Sequence, residues 1–321
     1  MSEAPVLFPL AGRRMFVAGS RGMVGSALLR RLARARCEIV TASHAELDLK
    51  RQSDTEAWFA ANRPDAVIVA AATVGGILAN STRPREFLYD NLMIAGNTIE
   101  AARQTGVKKL LYLGSSCIYP RLAKQPMTED ELLAGPLEPT NQWYAVAKIA
   151  GLKLCAAYRL QGGSDFISAQ PTNLYGPGDT YDAAASHVIP ALILKMHNAK
   201  LARAPEVEIW GSGRPRREFL HVDDLADALV FLMERYSGES HVNIGWGKDV
   251  SISELAELVA ATVGYEGRLV YNTSMPDGMP QKLLDTGKIE ALGWSPRIHL
   301  REGLADAYRW FTANVAAAAP A

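Results

Sequence analysis

Residues 15–25 read Met15-Phe-Val-Ala-Gly19-Ser20-Arg21-Gly22-Met23-Val24-Gly25, and this stretch decides the fold. Residues 15–18 are a short apolar run that reads as a buried strand. Over residues 23–33 apolar side chains recur at helical spacing, at Met23, Ala27, Leu28 and Leu32. Three glycines therefore fall where a strand hands over to a helix. The first permits a tight turn. The second lets the backbone approach a pyrophosphate, whose charge the helix N-terminus meets, and the third lets the helix pack closely on the strand. The spacing G-x-x-G-x-x-G departs from the commoner G-x-G-x-x-G. The order of strand, turn and helix speaks against glycines that merely close a turn.

Working outward, further strands are predicted at residues 39–40, 66–72, 110–113 and 166–169. Helices are predicted around residues 57–61, at 87–104 and from Tyr144 to about 160. The uniformly apolar run at 66–72 suits a parallel strand covered on both faces. The alternation predicts an α/β fold, a Rossmann-type doubly wound parallel sheet with helices on both faces. After Pro171 the character changes. Gly176, Pro177 and Gly178 mark an irregular loop, followed by helices near 188–197, 223–234, 253–263 and 300–314 and strands near 207–209 and 242–244. Residues 1–175 are expected to form a dinucleotide-binding domain. Residues 176–321 are expected to form mainly a smaller C-terminal substrate-binding domain, with elements from about 220–245 returning to the first sheet.

The 321 residues are 48% hydrophobic, which predicts a packed globule. Lys+Arg and Asp+Glu are both 34, so no global field favours nucleic acid or an acidic membrane, and any phosphate site must be local. Cys37, Cys117 and Cys155 are too scattered for a disulfide framework. No apolar run reaches the roughly 18 residues of a membrane helix. The N-terminal MSEAPVLFPLAGRR has no basic region before its apolar patch, and reads as a flexible extension of a cytoplasmic protein. No part of the reading calls for a metal.

At the end of the second strand the chain runs Thr41-Ala42-Ser43-His44, with no carboxylate until Glu46. A carboxylate there would hold the ribose diol of NAD and repel a 2′-phosphate. Ser43 and His44 could hydrogen-bond such a phosphate and Arg21 could pair with it, so NADPH is expected ahead of NADH. Asp48 and Leu49 suit the adenine edge, although a solvated aspartate is as good a reading.

The chemistry is carried by Tyr144-Ala-Val-Ala-Lys148. A Tyr and a Lys four apart share one helix face. The ammonium is expected to favour the phenolate and draw the tyrosine from about 10 toward neutrality. Such a tyrosine can protonate a sugar carbonyl while a nicotinamide delivers hydride. The spacing alone is common by chance; the glycine turn upstream and Ser115 at the end of the fourth strand give it meaning. That strand end lies at the carboxyl edge of the sheet, where open α/β sites form. Taken alone, Cys117 is a small buried residue and His187 a helix-start histidine.

The chain resembles the extended short-chain dehydrogenase/reductases, and within them the GDP-L-fucose synthase group of 3,5-epimerase-4-reductases. The stretches that carry the likeness are GSRGMVGSAL, AATVGGILAN, GSSCIYP, LEPTNQWYAVAKIAG, PTNLYGPGD, SHVIPALI, GSGRPRREFLHVDDLA and PDGMPQKLLD. They span nearly all of residues 15–310. The resemblance implies NADPH, a GDP-sugar substrate, a homodimer, and no nucleic acid or membrane partner. It implies that Ser115, Tyr144 and Lys148 carry a C4 reduction and that Cys117 and His187 epimerise C3 and C5. The substrate's 4-keto group acidifies both hydrogens, and thiol and imidazole titrate near enough to neutrality to exchange them. It also implies cofactor contacts at Leu113, Gly114, Ser116, Pro171, Thr172, Asn173, Leu174 and His187, beside those of the glycine turn, and substrate contacts at Lys195, Trp210, Arg217, Asp277 and Lys282. The chain departs from the group at His44, where an arginine is usual, and at Gly176-Pro177-Gly178-Asp179, where Gly-Pro-His-Asp is common. Residues 181–185 are also unusually alanine-rich.

Three rival readings stay open: a related GDP-4-keto-sugar enzyme with a different epimerisation or product, a 4-epimerase that retains its NAD, and a regulatory protein that senses dinucleotides. The 4-epimerase would have no use for Cys117 and His187, and a sensor could dispense with the Tyr-Lys pair.

Overall fold

The computed structural model describes residues 4–182, 186–275 and 277–318. The alanines at 183–185 and the end of the C-terminal tail lie outside them, as do residues 1–3. In chain order the first half runs β1 (Arg14–Ala18), α1 (Met23–Leu32), β2 (Glu38–Val40), α2 (Gln52–Asn62), β3 (Ala66–Val69), α3 (Ile77–Thr82), α4 (Pro84–Gln104), β4 (Lys109–Leu113), α5 (Gln142–Gly162) and β5 (Asp165–Pro171). Then follow β6 (Asn173–Tyr175), α6 (Val188–Leu201), β7 (Glu206–Trp210), β8 (Arg216–His221), α7 (Val222–Arg235), β9 (Val242–Ile244), β10 (Asp249–Ser251), α8 (Ile252–Val263), β11 (Arg268–Asn272), β12 (Gln281–Lys282), α9 (Gly287–Ala291) and α10 (Leu300–Asn314).

Six strands form one all-parallel sheet in the order β2-β1-β3-β4-β5-β9. The chain crosses from one side of β1 to the other between β2 and β3, so the switch point, where α/β sheets bind ligands, lies between β1 and β3. One apolar layer packs α1 and α7 on one face, with Leu28, Leu32, Leu225 and Leu229 against Val17, Ile68 and Leu111. A second layer, including Phe59, Ile94, Ile99 and Cys155, covers Phe16, Val67 and Leu110 on the other face. Both faces of β3 and β4 are therefore dry, which is why their sequences are apolar on successive residues. The exception is Lys109, fully buried, whose ammonium is 2.8 Å from the Asp165 carboxylate.

β3 stops at Val69, three residues short of the predicted run. β1 ends at Ala18, opposite Val69, so once the Ala70 N–H has bonded to the Ala18 carbonyl the ladder with β1 is exhausted. The segment instead passes hard against the glycine turn: a Cβ on Gly19 would lie 2.7 Å from the Ala71 Cα.

The second lobe is organised by β8, whose sequence Arg216-Arg-Glu-Phe-Leu-His221 is too charged to have been read as a strand. β8 pairs with β6 and β12 in parallel and with β10 antiparallel. Its charges are satisfied locally: Arg216 binds Asp249 at 2.8 Å, and the buried Glu218 accepts the backbone N–H groups of Gly247 and Leu284. β7 and β11 form a separate parallel pair, and α6, α8 and α10 share a third apolar cluster. Among the described residues no helix is long and apolar enough to cross a membrane.

Candidate active site

The glycine turn is built for a close approach. Gly19 has φ +83°, and a Cβ on Gly25 would lie 2.0 Å from the Gly19 carbonyl oxygen. Gly22 is the N-cap of α1 and makes no side-chain cap bond, and the first turn carries no acid. The first-turn N–H groups and positive dipole end of α1 thus carry no side-chain cap, and a Cβ on Gly22 would meet nothing closer than 3.6 Å. This cradle fits a dinucleotide pyrophosphate. Ser20 is buried in the turn, Arg21 is exposed, and Met23 and Val24 open the helix.

The loop after β2 differs from its sequence reading. Glu46 folds back to accept both the backbone N–H and the hydroxyl of Ser43 at 2.7 Å, and Arg21 lies near enough to help hold its carboxyl below the usual range. A carboxylate therefore does sit beside the expected 2′-phosphate residues. The highly exposed His44 ring lies 3.7 Å from Asp48, and Leu49 is buried.

The proton-donating cluster forms where β4 ends and α5 begins. α5 starts at Gln142, placing Tyr144 in its first turn and Lys148 one turn on. The Lys148 ammonium donates to the Leu113 carbonyl at 2.8 Å and sits 5.6 Å from the centre of the Tyr144 ring and 5.0 Å from that of Tyr112. Tyr112 in turn lies directly over Gly151, where a Cβ would come within 2.4 Å of its ring. The Ser115 side chain lies close enough to the Tyr144 phenol to favour its ionised form, while its oxygen accepts the Cys117 N–H at 3.3 Å. Leu113 and Ser116 are buried on either side.

The electrostatics correct one expectation. Burial pushes the Tyr144 phenol well above its ordinary value, with the nearby Ser115 hydroxyl pulling only partly back. Burial likewise pushes Lys148 down to about 7. The sequence reading counted the charge–charge attraction and left out the desolvation that both groups share. A phenol held protonated in this way is suited to donating a proton.

Gln170 went unnoticed in the sequence. Fully buried at the end of β5, its carboxamide oxygen accepts the Ser115 N–H at 2.7 Å. Gly114 allows the approach, since a Cβ there would lie 1.8 Å from that oxygen. Only the neighbouring Pro171-Thr-Asn motif hinted at it. Thr172 and Asn173 both reach the Glu218 carbonyl from their side chains, and Leu174 follows them on β6, paired in register with Leu220 of β8.

Cys117 sits in a short 3-10 turn after Ser115, half-buried. Its sulfur receives the Asn141 side-chain N–H at 3.3 Å and the Lys282 ammonium at 3.6 Å. Asn141 was also missed; its one signal was its place three residues before Tyr144. His187 is the N-cap residue of α6, and burial together with the Lys282 charge lowers its pKa. Lys282 thus links Cys117 to His187. The remaining substrate candidates lie on α6, β7, β8 and the loop before β12. Lys195 lies 4.9 Å from the centre of the exposed Trp210 ring. Asp277 accepts the Ser212 N–H at 2.6 Å, and Arg217 lies in the field of Asp277 and Glu138. Burial lowers the pKa of Arg217, as expected of a cation waiting for an anion.

The sequence profile of the NAD dependent epimerase/dehydratase family matches residues 15–245. The chain is 58% identical over 309 residues to a rice (Oryza sativa subsp. japonica) protein named "Probable GDP-L-fucose synthase 1", covering 96% of this chain and 94% of the relative. It is 52% identical to the GDP-L-fucose synthase of Escherichia coli strain K12, covering 95% and 98%. The solved GDP-L-fucose synthetase of Naegleria fowleri bound to NADP superposes with a TM-score of 0.87 at 26% identity, covering 98% of each chain. The glycine cradle at the β1–β3 switch point and the Ser-Tyr-Lys cluster beside it accord with these likenesses: the chain belongs to the NAD dependent epimerase/dehydratase family.

Proposed function

We propose that this chain is an NADPH-dependent GDP-L-fucose synthase, which converts GDP-4-keto-6-deoxy-D-mannose to GDP-L-fucose by epimerisation at C3 and C5 and reduction at C4. The observation that carries the reading is the closeness of two kits, the Ser115-Tyr144-Lys148 cluster and Cys117 with its neighbours Asn141 and Lys282, the Cys117 thiol lying in the field of both Tyr144 and Lys148. The identity of more than half shared with GDP-L-fucose synthases over nearly the whole chain supports it. A reductase that does not epimerise would need only the first kit.

In this reading residues 1–175, with the returning segment of about 220–245, hold the dinucleotide, and residues 176–321 mainly hold the sugar nucleotide. Trp210 stacks on the base, and Lys195 and Arg217 take the diphosphate. Asp277 orients the loop around them. Cys117 and His187 exchange the acidified hydrogens on C3 and C5 from opposite faces. Tyr144 and Ser115 hydrogen-bond the 4-oxygen, which stabilises the enolate. When bound, the nicotinamide supplies hydride to C4. Tyr144 then gives its proton to the nascent alkoxide, and the Lys148 ammonium stabilises the phenolate left behind. The protein works as a cytoplasmic homodimer.

The test is turnover of GDP-4-keto-6-deoxymannose with NADPH, with the product identified by NMR. Cys117→Ser replaces a thiol by a much poorer base. With oxidised cofactor present, it is expected to lose exchange of the C3 and C5 hydrogens with heavy water. With NADPH it should still reduce, enriching unepimerised 6-deoxy sugar. Wild-type exchange in this variant would remove Cys117 from the mechanism.

A further inference from the structure

Lys282 was expected among the diphosphate contacts, but its geometry in the folded chain is different. β12 is only two residues long, and its register sets Lys282 beside Arg217 of β8. The chain just past the strand is held firmly. Met127 bridges Leu284, the Leu283 N–H donates to the Gln125 side chain, and the Leu284 N–H donates to Glu218. From this fixed base the ammonium reaches the Cys117 sulfur at 3.6 Å. The Asn141 carboxamide approaches the same sulfur at 3.3 Å. Two donors from different elements thus converge on one atom, and one of them carries a full charge. Tyr144 and Lys148 on α5 also lie in the field of the sulfur. Lys148 is engaged by the Leu113 carbonyl, so Lys282 is the cation that donates to the sulfur itself.

We propose that Lys282 is a positioning residue for the epimerisation, orienting the Cys117 sulfur and favouring negative charge on it rather than clamping the diphosphate. The inference rests on the reading of Cys117 as a proton-exchanging group. An ammonium beside a sulfur favours its reactive, anionic form, while the amide donor restricts the direction from which a proton can be taken. The same ammonium opposes positive charge on His187. One cation so biases the two exchanging groups in opposite senses and distinguishes them chemically.

Iodoacetamide labelling of the ligand-free protein, resolved peptide by peptide, tests this without substrate. Its outcome is therefore separable from any failure of the functional reading. Lys282→Met is expected to slow labelling of Cys117 about tenfold at about pH 7.5, and Lys282→Arg to retain most of the rate. Buried Cys155 should stay protected in both variants, which reports intact folding. In turnover with NADPH, Lys282→Met should shift product toward unepimerised sugar with little change in KM. Wild-type labelling in Lys282→Met, or a raised KM with unchanged product, would make Lys282 a diphosphate ligand and overturn the proposal.

Discussion

The Gln170 carboxamide oxygen accepts the Ser115 backbone N–H at 2.7 Å, from the strand next to the one that Ser115 follows. A buried side chain on β5 thereby sets where the β4 loop leaves the sheet. Gln170→Leu strands a buried N–H, a loss of about 1–3 kcal/mol, and frees Ser115 from its position against Tyr144. The expected result is a lowered denaturation midpoint in urea together with a several-fold fall in kcat for NADPH oxidation. Gly114→Ala should do the same, because its new Cβ would occupy the place of the Gln170 oxygen. Unchanged kcat in both variants would disconnect Gln170 from Ser115.

Tyr144→Phe keeps the ring and removes the proton. NADPH oxidation should fall by at least about a hundredfold, the scale of a lost general acid, with cofactor binding retained. Lys148, pushed by burial down to about 7, is charged below that pH and neutral above it. In kcat/KM, which reports the free enzyme, reduction should decline as pH rises through about 7. Lys148→Arg keeps its charge throughout and should flatten that limb, even at a lower maximum.

Asp179 follows Gly178 in a loop against the start of α1, buried with one carboxylate oxygen unpartnered, and burial pushes its pKa up to about 7. Between the unfolded value of about 4 and about 7, the folded chain holds a proton that the unfolded chain has lost. Stability from this group is therefore full below about pH 4 and falls as pH rises to about 7. Asp179→Asn removes the dependence. Its melting temperature should match wild type near pH 4 and exceed it by several degrees at pH 8. Parallel profiles for the two proteins would show that the carboxyl is solvated in solution.

Glu46 occupies the Ser43 hydroxyl and lies in the field of Arg21. Both groups are then less available to a 2′-phosphate. Glu46→Gln should raise the ratio of kcat/KM for NADPH over NADH a few-fold, and His44→Ala should lower it. Steady-state rates with the two cofactors decide the matter; a ratio that neither change moves would place 2′-phosphate selection elsewhere.

The sheet was legible because burial on both faces leaves a plain mark, as in Ala66-Val-Ile-Val69. The glycine turn was legible because its backbone demands leave few alternatives to glycine. β8 was not, since its stability comes from Asp249 and from backbone donors at Gly247 and Leu284, all remote in sequence. The Tyr144–Lys148 pair could be found from its spacing, but the sign of its electrostatics could not, because spacing carries no measure of desolvation. Gln170 and Asn141 stayed hidden because an amide in a strand or before a helix looks the same whether it supports a site or faces water. Glu46 misled for a simpler reason: a carboxylate three residues further on folded back to where the sequence had none.

The contact between Tyr112 and Gly151 has a consequence for how this chain can change by mutation. Gly151 is not itself a proposed substrate or cofactor residue, yet any side chain there would drive the Tyr112 ring aside or lift α5 off the sheet. Either movement drags Lys148, which packs against the same ring one turn earlier. In a library randomised along α5, position 151 should therefore tolerate as little as position 148, while the exposed Val146 between Tyr144 and Lys148 accepts most residues. Intolerance mapped that way would trace the support of the proton donor rather than the donor itself.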